Sequence, residues 1–158
     1  MKLAYGNMWS AWESVDLFLI TTNNTISSKG RLIMGKGIAG EAARKFPDLP
    51  RNLANAIASG EYTANQMRYG LIVSKHWPKT KIGAFQTKYY WKFPSTLELI
   101  EFSTDKLLIW CSEHPQATVA LNFPGIGAGA LMHTDILPTI SRLPDTVTIW
   151  RRSRQINP

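Results

Sequence analysis

Residues 15–22, VDLFLITT, form an apolar run rich in β-branched side chains that ends in the polar stretch NNTISSKG, a pattern that predicts a strand entering a loop. A run apolar on both alternating faces belongs near the centre of a sheet. Downstream, GIAGEAARKF carries Ile38, Ala42 and Lys45/Phe46 at helical spacing, and Pro47 ends that helix. A second short helix is expected in LPRNLANAIASG, closing at Gly60, the residue type favoured just past a helix C-terminus. RYGLIVSK and KIGAFQTK read as the two strands of a hairpin, with HWPKT supplying proline and polar turn residues between them. Pro94 and Ser95 introduce the longest helix. There Ser95 and Glu98 stand in capping-box register, and Leu97, Ile100, Thr104, Leu107 and Cys111 make one stripe that covers a sheet face. ATVALNF is another short strand ending at Pro124, followed by a glycine-rich loop, a helix through ILPTISRL and a last strand, DTVTIW. Strands alternating with helices predict an α/β sandwich with a mixed, largely parallel sheet.

The chain has 158 residues, enough for one domain that buries roughly two thirds of its unfolded surface without covalent staples. No repeat, low-complexity tract or linker divides it, so residues 1–152 are expected to form one domain followed by a basic tail at 153–158, and a monomer is expected. With 44% hydrophobic and 18% charged residues, the composition excludes disordered and collagenous classes. Cys111 is the one cysteine and cannot form an internal disulfide, and MKLAYGNMW lacks a secretory pattern, so a cytoplasmic location is expected. No stretch reaches the roughly 18 uninterrupted apolar residues that a membrane span needs. The net charge of +7 indicates an anionic partner: a phosphate-bearing small molecule, a nucleic acid, or both. RRSRQINP and KHWPKTK hold part of this excess and also read as solvated surface.

Two glycine-rich loops carry the first chemical signal. In MGKGIAG, Gly35, Gly37 and Gly40 lead directly into a helix, exposing backbone amides beside a helix N-terminus, where anions bind. In PGIGAG, Gly125, Gly127 and Gly129 follow a strand and precede a helix, and alternate glycines let a ligand approach the backbone closely. Either loop alone also suits ordinary turns and helix packing. Two such loops beyond the carboxyl ends of neighbouring parallel strands can grip one diphosphate from both sides. GKGIAG matches GxGxxG, but it follows its strand only after the long NNTISSKGRLIM segment, which disfavours a dinucleotide-binding oxidoreductase; GxxxxGK[ST] is absent, which disfavours P-loop hydrolysis. Three scattered histidines, no HExxH, no paired cysteines and no GxSxG leave metal catalysis and a serine elbow without support, and no cofactor is expected.

Four strings, in order, resemble macrodomains. GNMW is similar to the family's opening GD[IL] or GNL motif; TTNNTISSKGRLIMGKGIAGEAARKFP resembles the block in which a strand ending in asparagine leads to a glycine-rich loop and helix; QTKYYWKFPS resembles the TKxxWxxPS string of the DarG-like, lysine-class branch; and NFPGIGAGAL resembles the PxIGxGxxG loop. The resemblance runs from about Gly6 to Trp150 and implies a three-layer α/β/α sandwich that binds ADP-ribose. It implies that Asn7 reads the adenine, with Met8 as a backbone donor, and that Asn24 faces the distal ribose with a part in catalysis. It further implies that Gly35, Lys36, Gly37, Ile38 and Ala39 line one phosphate loop and Gly125, Ile126, Gly127, Ala128 and Gly129 the other, with Thr22, Met34 and Pro124 flanking them. Trp150 or Arg151, at the end of the last strand, would stack on adenine; Trp150 also reads as a core aromatic.

The resemblance makes Lys88, of the TK string, the nucleophile that attacks the anomeric carbon of the distal ribose, which requires its neutral amine. Lys88 also reads as a solvated or phosphate-binding lysine, because KYYWK interleaves charge and aromatics as nucleic-acid surfaces do. Lys75, in VSKHW, is a weaker candidate. One lysine-class branch places an aspartate after the second glycine loop, where this chain has Ala130 and Leu131; His133 or Asp135 could supply acid–base function instead, and a lone histidine is also commonly structural. Three functions stay open: a hydrolase that removes ADP-ribose from protein, a nucleic acid base, an ester or a 1″-phosphate; a non-catalytic ADP-ribose reader; and a basic nucleic-acid-binding protein.

Overall fold

The apolar run at 15–22 becomes the strand on which the sheet is assembled. In a computed structural model, which describes residues 1–59 and 67–152, Leu17–Thr22 forms a strand in which Leu17, Phe18, Leu19 and Ile20 are all fully buried. The strands in chain order are β1 (Lys2–Tyr5), β2 (Leu17–Thr22), β3 (Leu71–Ile72), β4 (Ile82–Gln86), β5 (Val119–Asn122) and β6 (Val147–Arg151). The helices are α1 (Gly37–Lys45), α2 (Leu49–Ala58), α3 (Leu97–Glu113) and α4 (His133–Ile140). The described strands form one six-stranded sheet in the order β1-β6-β5-β2-β4-β3. Every pairing is parallel except that of β3 with β4.

Alternation along β2 divides the core. Leu17 and Leu19 join Ile100 and Leu107 of α3 and Ile136 and Ile140 of α4 on one face. Phe18 and Ile20 join Ala39 and Ala42 of α1 and Leu49 and Leu53 of α2 on the other. A period of two along the strand therefore puts helices on both faces, which is the three-layer α/β/α sandwich. Each fully buried Leu, Ile or Phe contributes about 1.5–3 kcal/mol relative to exposure. No helix among the described residues is long and apolar enough to cross a membrane.

Several elements differ in detail from the pattern-based expectation. Thr96, not Ser95, caps α3: its hydroxyl accepts from the Leu99 amide at 3.3 Å. Ser95 is held one residue back by its own amide, which donates to the Gly129 carbonyl at 2.9 Å. Glu98 meets Arg68 at 3.5 Å on the surface, and Leu97 is only half-buried at the edge of the helix's inner face. α4 begins at His133, three residues before ILPTISRL, because its first turn is largely exposed and leaves no apolar signal. β3 is two residues long, so the hairpin connection exceeds HWPKT. β1 has no counterpart in the sequence reading; it is a mostly exposed edge strand held through β6. Gly60 and the 153–158 tail lie outside the described residues.

Gln86 is the polar anchor of the β4 end. Fully buried, it accepts from the amides of Tyr69 (2.8 Å) and Gly70 (3.1 Å) through Oε1 and donates to the carbonyls of Met67 (2.9 Å) and Lys88 (3.2 Å) through Nε2. Ser103 of α3 donates to its backbone carbonyl at 2.7 Å. Buried amides stripped of an acceptor cost about 1–3 kcal/mol each. Gln86→Leu should therefore lower unfolding stability by about 2–5 kcal/mol, read as a lower urea midpoint at unchanged slope.

Candidate functional site

Parallel pairing brings the carboxyl ends of β2, β4, β5 and β6 to one edge of the sheet, and the segments that follow them enclose a cleft of about 1410 Å³. The first segment makes a long excursion before it reaches the cleft. Asn23 closes that excursion: its Oδ1 accepts from the Thr25 amide at 2.9 Å and its Nδ2 donates to the Ile33 carbonyl at 2.8 Å. The chain thus returns to deliver Met34–Ala39 to the cleft wall. α1 then starts at Gly37 with no side-chain cap, so its first-turn N–H groups are available beside the cleft. Across the cleft, Gly127–Gly129 forms a 3₁₀ turn after β5. Gly37 (φ 70°) and Gly127 (φ 65°) each open the helical turn of their loop, and a Cβ at either would meet nothing within 4 Å. Glycine is required there for left-handed backbone and for open access, not for internal packing. The floor is tied by Asn122, which accepts from the Thr21 amide (2.9 Å) and donates to the Thr21 hydroxyl (2.8 Å), cross-linking β5 to β2.

Lys88 follows β4 and spans the opening. Its Nζ donates to the carbonyls of Trp91 (3.3 Å) and Ala128 (3.1 Å), joining its own loop to the second glycine loop. Lys36, Lys45, Lys88, Lys92, Arg151 and Arg152 line the cleft, against Glu41 as the one carboxylate among the described lining residues. Glu41 is already engaged: Trp9 Nε1 donates to it at 2.9 Å and Arg152 pairs with it. The Trp9 hydrogen bond holds the Glu41 carboxyl below its ordinary 4.5, Arg152 adds to this, and partial burial opposes it. Lys45 lies 4.8 Å from the Trp9 ring centroid, and Arg151 lies 5.6 Å from that of Phe123. Ser95 Oγ and Trp150 Nε1 are buried with no hydrogen-bond partner among the described residues, and both residues line this cleft. The arrangement suits a large anionic ligand that supplies polar atoms.

The chain matches no protein-family model. It is 32% identical over 126 residues, 77% of its length, to the "DNA ADP-ribosyl glycohydrolase" of Mycobacterium tuberculosis. It spans only 35% of the length of that relative and of the Thermus aquaticus protein of the same name. Among solved structures, the macrodomain of Mycobacterium tuberculosis DarG superposes with a TM-score of 0.71 at 27% identity, covering 96% of this chain and 98% of that one. The macrodomain of Thermus aquaticus DarG gives 0.69 at 25% identity, covering 96% and 97%. The chain has the macrodomain fold. It is related to the DarG-like macrodomains.

In this macrodomain, Asn7, Met8, Thr22, Met34, Gly35, Lys36, Gly37, Ile38, Ala39, Lys88, Gly125, Ile126, Gly127, Ala128, Gly129 and Trp150 all line one cleft. Asn7 caps the 3₁₀ turn Met8–Ala11 through its Oδ1, which accepts from the Trp9 amide at 3.1 Å, leaving its NH₂ free of that duty. Three expected residues are placed elsewhere. Asn24 is outside the cleft lining and donates to the Met67 carbonyl at 2.9 Å, whereas its neighbour Asn23 lines the cleft. Pro124 is buried outside the cleft lining. His133, on the first turn of α4, packs edge-on against Phe123 with centroids 5.3 Å apart; burial and then Arg151 hold its pKa below 6.5, and it too lies outside the lining. Asp135 stands exposed on the same turn. Sequence reasoning missed Trp9, Asn23, Glu41, Lys45, Ser95, Asn122 and Arg152. Asn23 sits beside Asn24 in NNT with nothing local to distinguish them, and Ser95 carries the signature of a cap.

The Glu41 link has a pH signature. A carboxyl with a depressed folded pKa stabilises the fold above its unfolded value, and the contribution is lost as pH falls through the folded one. Glu41→Gln should lower stability near neutrality by at most about 1 kcal/mol, as for a partly exposed pair. That difference from the parent should close as pH is taken below 4.5, as followed by thermal melts across the acid range.

Proposed function

We propose that this macrodomain binds ADP-ribose and hydrolyses an ADP-ribosyl linkage to a nucleic acid base. The observation that carries the reading is the pair of uncapped glycine loops facing each other across a cationic cleft, with Lys88 reaching between them. The diphosphate sits between the first turn of α1 and the Gly127–Gly129 turn, where backbone N–H groups and the positive helix end favour negative charge. Adenosine lies toward Asn7, Met8 and Trp150, and the distal ribose lies toward Lys88. A cleft of about 1410 Å³ exceeds the roughly 300–1,000 Å³ typical of small-ligand pockets, leaving room for the group to which the ribose is attached.

Lys88 Nζ attacks the anomeric carbon of the distal ribose through its lone pair; the bond to the base breaks, and the base leaves with the electron pair and takes up the proton released from the attacking nitrogen. Water then displaces the lysine, so the sum is ADP-ribosylated base plus water giving ADP-ribose plus free base. The carbonyls of Trp91 and Ala128 orient Nζ through two of its protons. The name of the mycobacterial relative, a DNA ADP-ribosyl glycohydrolase, supports both the reaction class and the polymer.

A non-catalytic reader is the second reading, favoured by one observation: Glu41, the sole carboxylate among the described lining residues, is already held by Trp9 and Arg152 and lies on α1. Calorimetric titration with ADP-ribose should give a Kd on the order of micromolar, about −8 kcal/mol. Gly127→Glu should abolish binding by filling the second loop with a bulky anion. Lys88→Ala should keep ADP-ribose binding yet slow release of ADP-ribose from a modified oligonucleotide by about 100-fold or more. Binding without turnover by the parent protein would make it a reader, and no binding at all would sink the proposal.

A further inference from the structure

Beside the Lys88 end of the cleft, three neighbouring aromatic rings are left in solvent. Tyr90 and Trp91 are each 39% exposed and Phe93 is 62% exposed. The ring centroids of Tyr90 and Phe93 are 5.1 Å apart and those of Tyr90 and Trp91 6.3 Å. The backbone beneath them is ordered by hydrogen bonds: the Phe93 amide donates to the Tyr90 carbonyl at 3.0 Å, and the Trp91 amide donates to the Thr25 hydroxyl at 3.0 Å. Lys92 places its ammonium 5.2 Å from the Trp91 ring centroid, and these two residues belong to the cleft wall as well as to the patch. No acidic residue occurs between Lys88 and Thr96, and Glu98, the next along the chain, is paired with Arg68. Clustered rings left partly exposed in this way mark an interaction surface.

We infer that Tyr90, Trp91 and Phe93 form a stacking platform for unpaired bases flanking the nucleotide whose modification sits in the cleft, with Lys92 meeting the strand's phosphates. The inference rests on the proposed function for what occupies the cleft, and it adds residues outside that cleft as determinants of the partner. Aromatic faces accept the face of any base, which is exposed in a single strand and hidden in a duplex. The surrounding charge decides for nucleic acid: the chain carries +7, and six cations line the adjoining cleft among the described residues. The platform therefore predicts preference for single strands, little dependence on base sequence, and binding of a strand that bears no ADP-ribose.

The test is fluorescence anisotropy with an unmodified single-stranded oligodeoxynucleotide of roughly twelve nucleotides and with its duplex, within the span a single-strand-binding module covers. Tyr90→Ala/Phe93→Ala and Phe93→Ala alone are the variants, since neither side chain lines the cleft. The parent should bind the strand more tightly than the duplex. The double variant should lose about tenfold or more in strand affinity, with Phe93→Ala intermediate, at unchanged urea midpoint and unchanged ADP-ribose affinity. Lys92→Ala should instead lower the slope of log affinity against log salt by about 0.7. Equal binding of strand and duplex, no strand binding, or full strand affinity in the double variant would overturn the platform. So would a concentration-dependent dimer in sedimentation that the double variant abolishes, because the patch would then be a contact between copies of this chain. Loss of the ADP-ribose reading with strand binding intact would leave the platform standing, and the reverse result would remove the platform alone.

Discussion

Leu17, Phe18, Leu19 and Ile20 leave no solvent-facing side along the middle of β2, so helices must cover the sheet above and below. Helices that cross between strands on both faces make neighbouring strands parallel, and parallel strands end together. The cleft follows from this constraint. With β2 flanked by β4 and β5 in parallel register, the loops after all three open on one edge, and β6 adds its own end beside β5. The polar termini Thr21 and Thr22 are satisfied by Asn122 and Tyr69, which lets the apolar strand stop cleanly at the cleft floor.

The anion-facing groups that this cleft offers are mainly backbone. Gly37 and Gly127 take left-handed conformations with open space where a side chain would be, and the start of α1 has no side-chain cap competing for its amides. Charge is layered on top through long side chains at the rim. The one acid among the cleft's described lining residues is tied into the Trp9–Glu41–Arg152 link, so positive charge prevails there. Such a site has fixed dipoles near the ligand and screened charges farther out, an arrangement that favours an anionic ligand of defined shape over any anion.

Gln86 links the core to the proposed chemistry. The same buried amide that satisfies Tyr69 and Gly70 also holds the carbonyl of Lys88, and Lys88 in turn reaches the Ala128 carbonyl on the opposite loop. The position of the lysine is thus set by packing at the β4 end as well as by its own contacts. Its downstream neighbours Tyr90 and Phe93 do the opposite and expose their rings where a folded core would bury them.

Much was legible in the chain because it depends on local pattern. The burial of β2, the placing of α1 and α3, the α/β class and both glycine loops follow from periodicities and residue types within a dozen positions. β1 was invisible because four largely exposed residues acquire strand character only by pairing with β6. The cap of α3 moved from Ser95 to Thr96 because a distant carbonyl, that of Gly129, holds the Ser95 amide. In the NNT string, Asn23 and Asn24 are equivalent by sequence, and only the return of the chain to Ile33 decides that Asn23 faces the cleft while Asn24 turns to Met67. The sequence by itself determined which backbone could bend and which segments had to be buried, since those are properties of residues and their neighbours. Tertiary structure alone decided which polar side chains converge on the cleft, because hydrogen-bond partners such as Glu41 with Trp9, or Asn122 with Thr21, lie tens of residues apart and meet only when the sheet is formed.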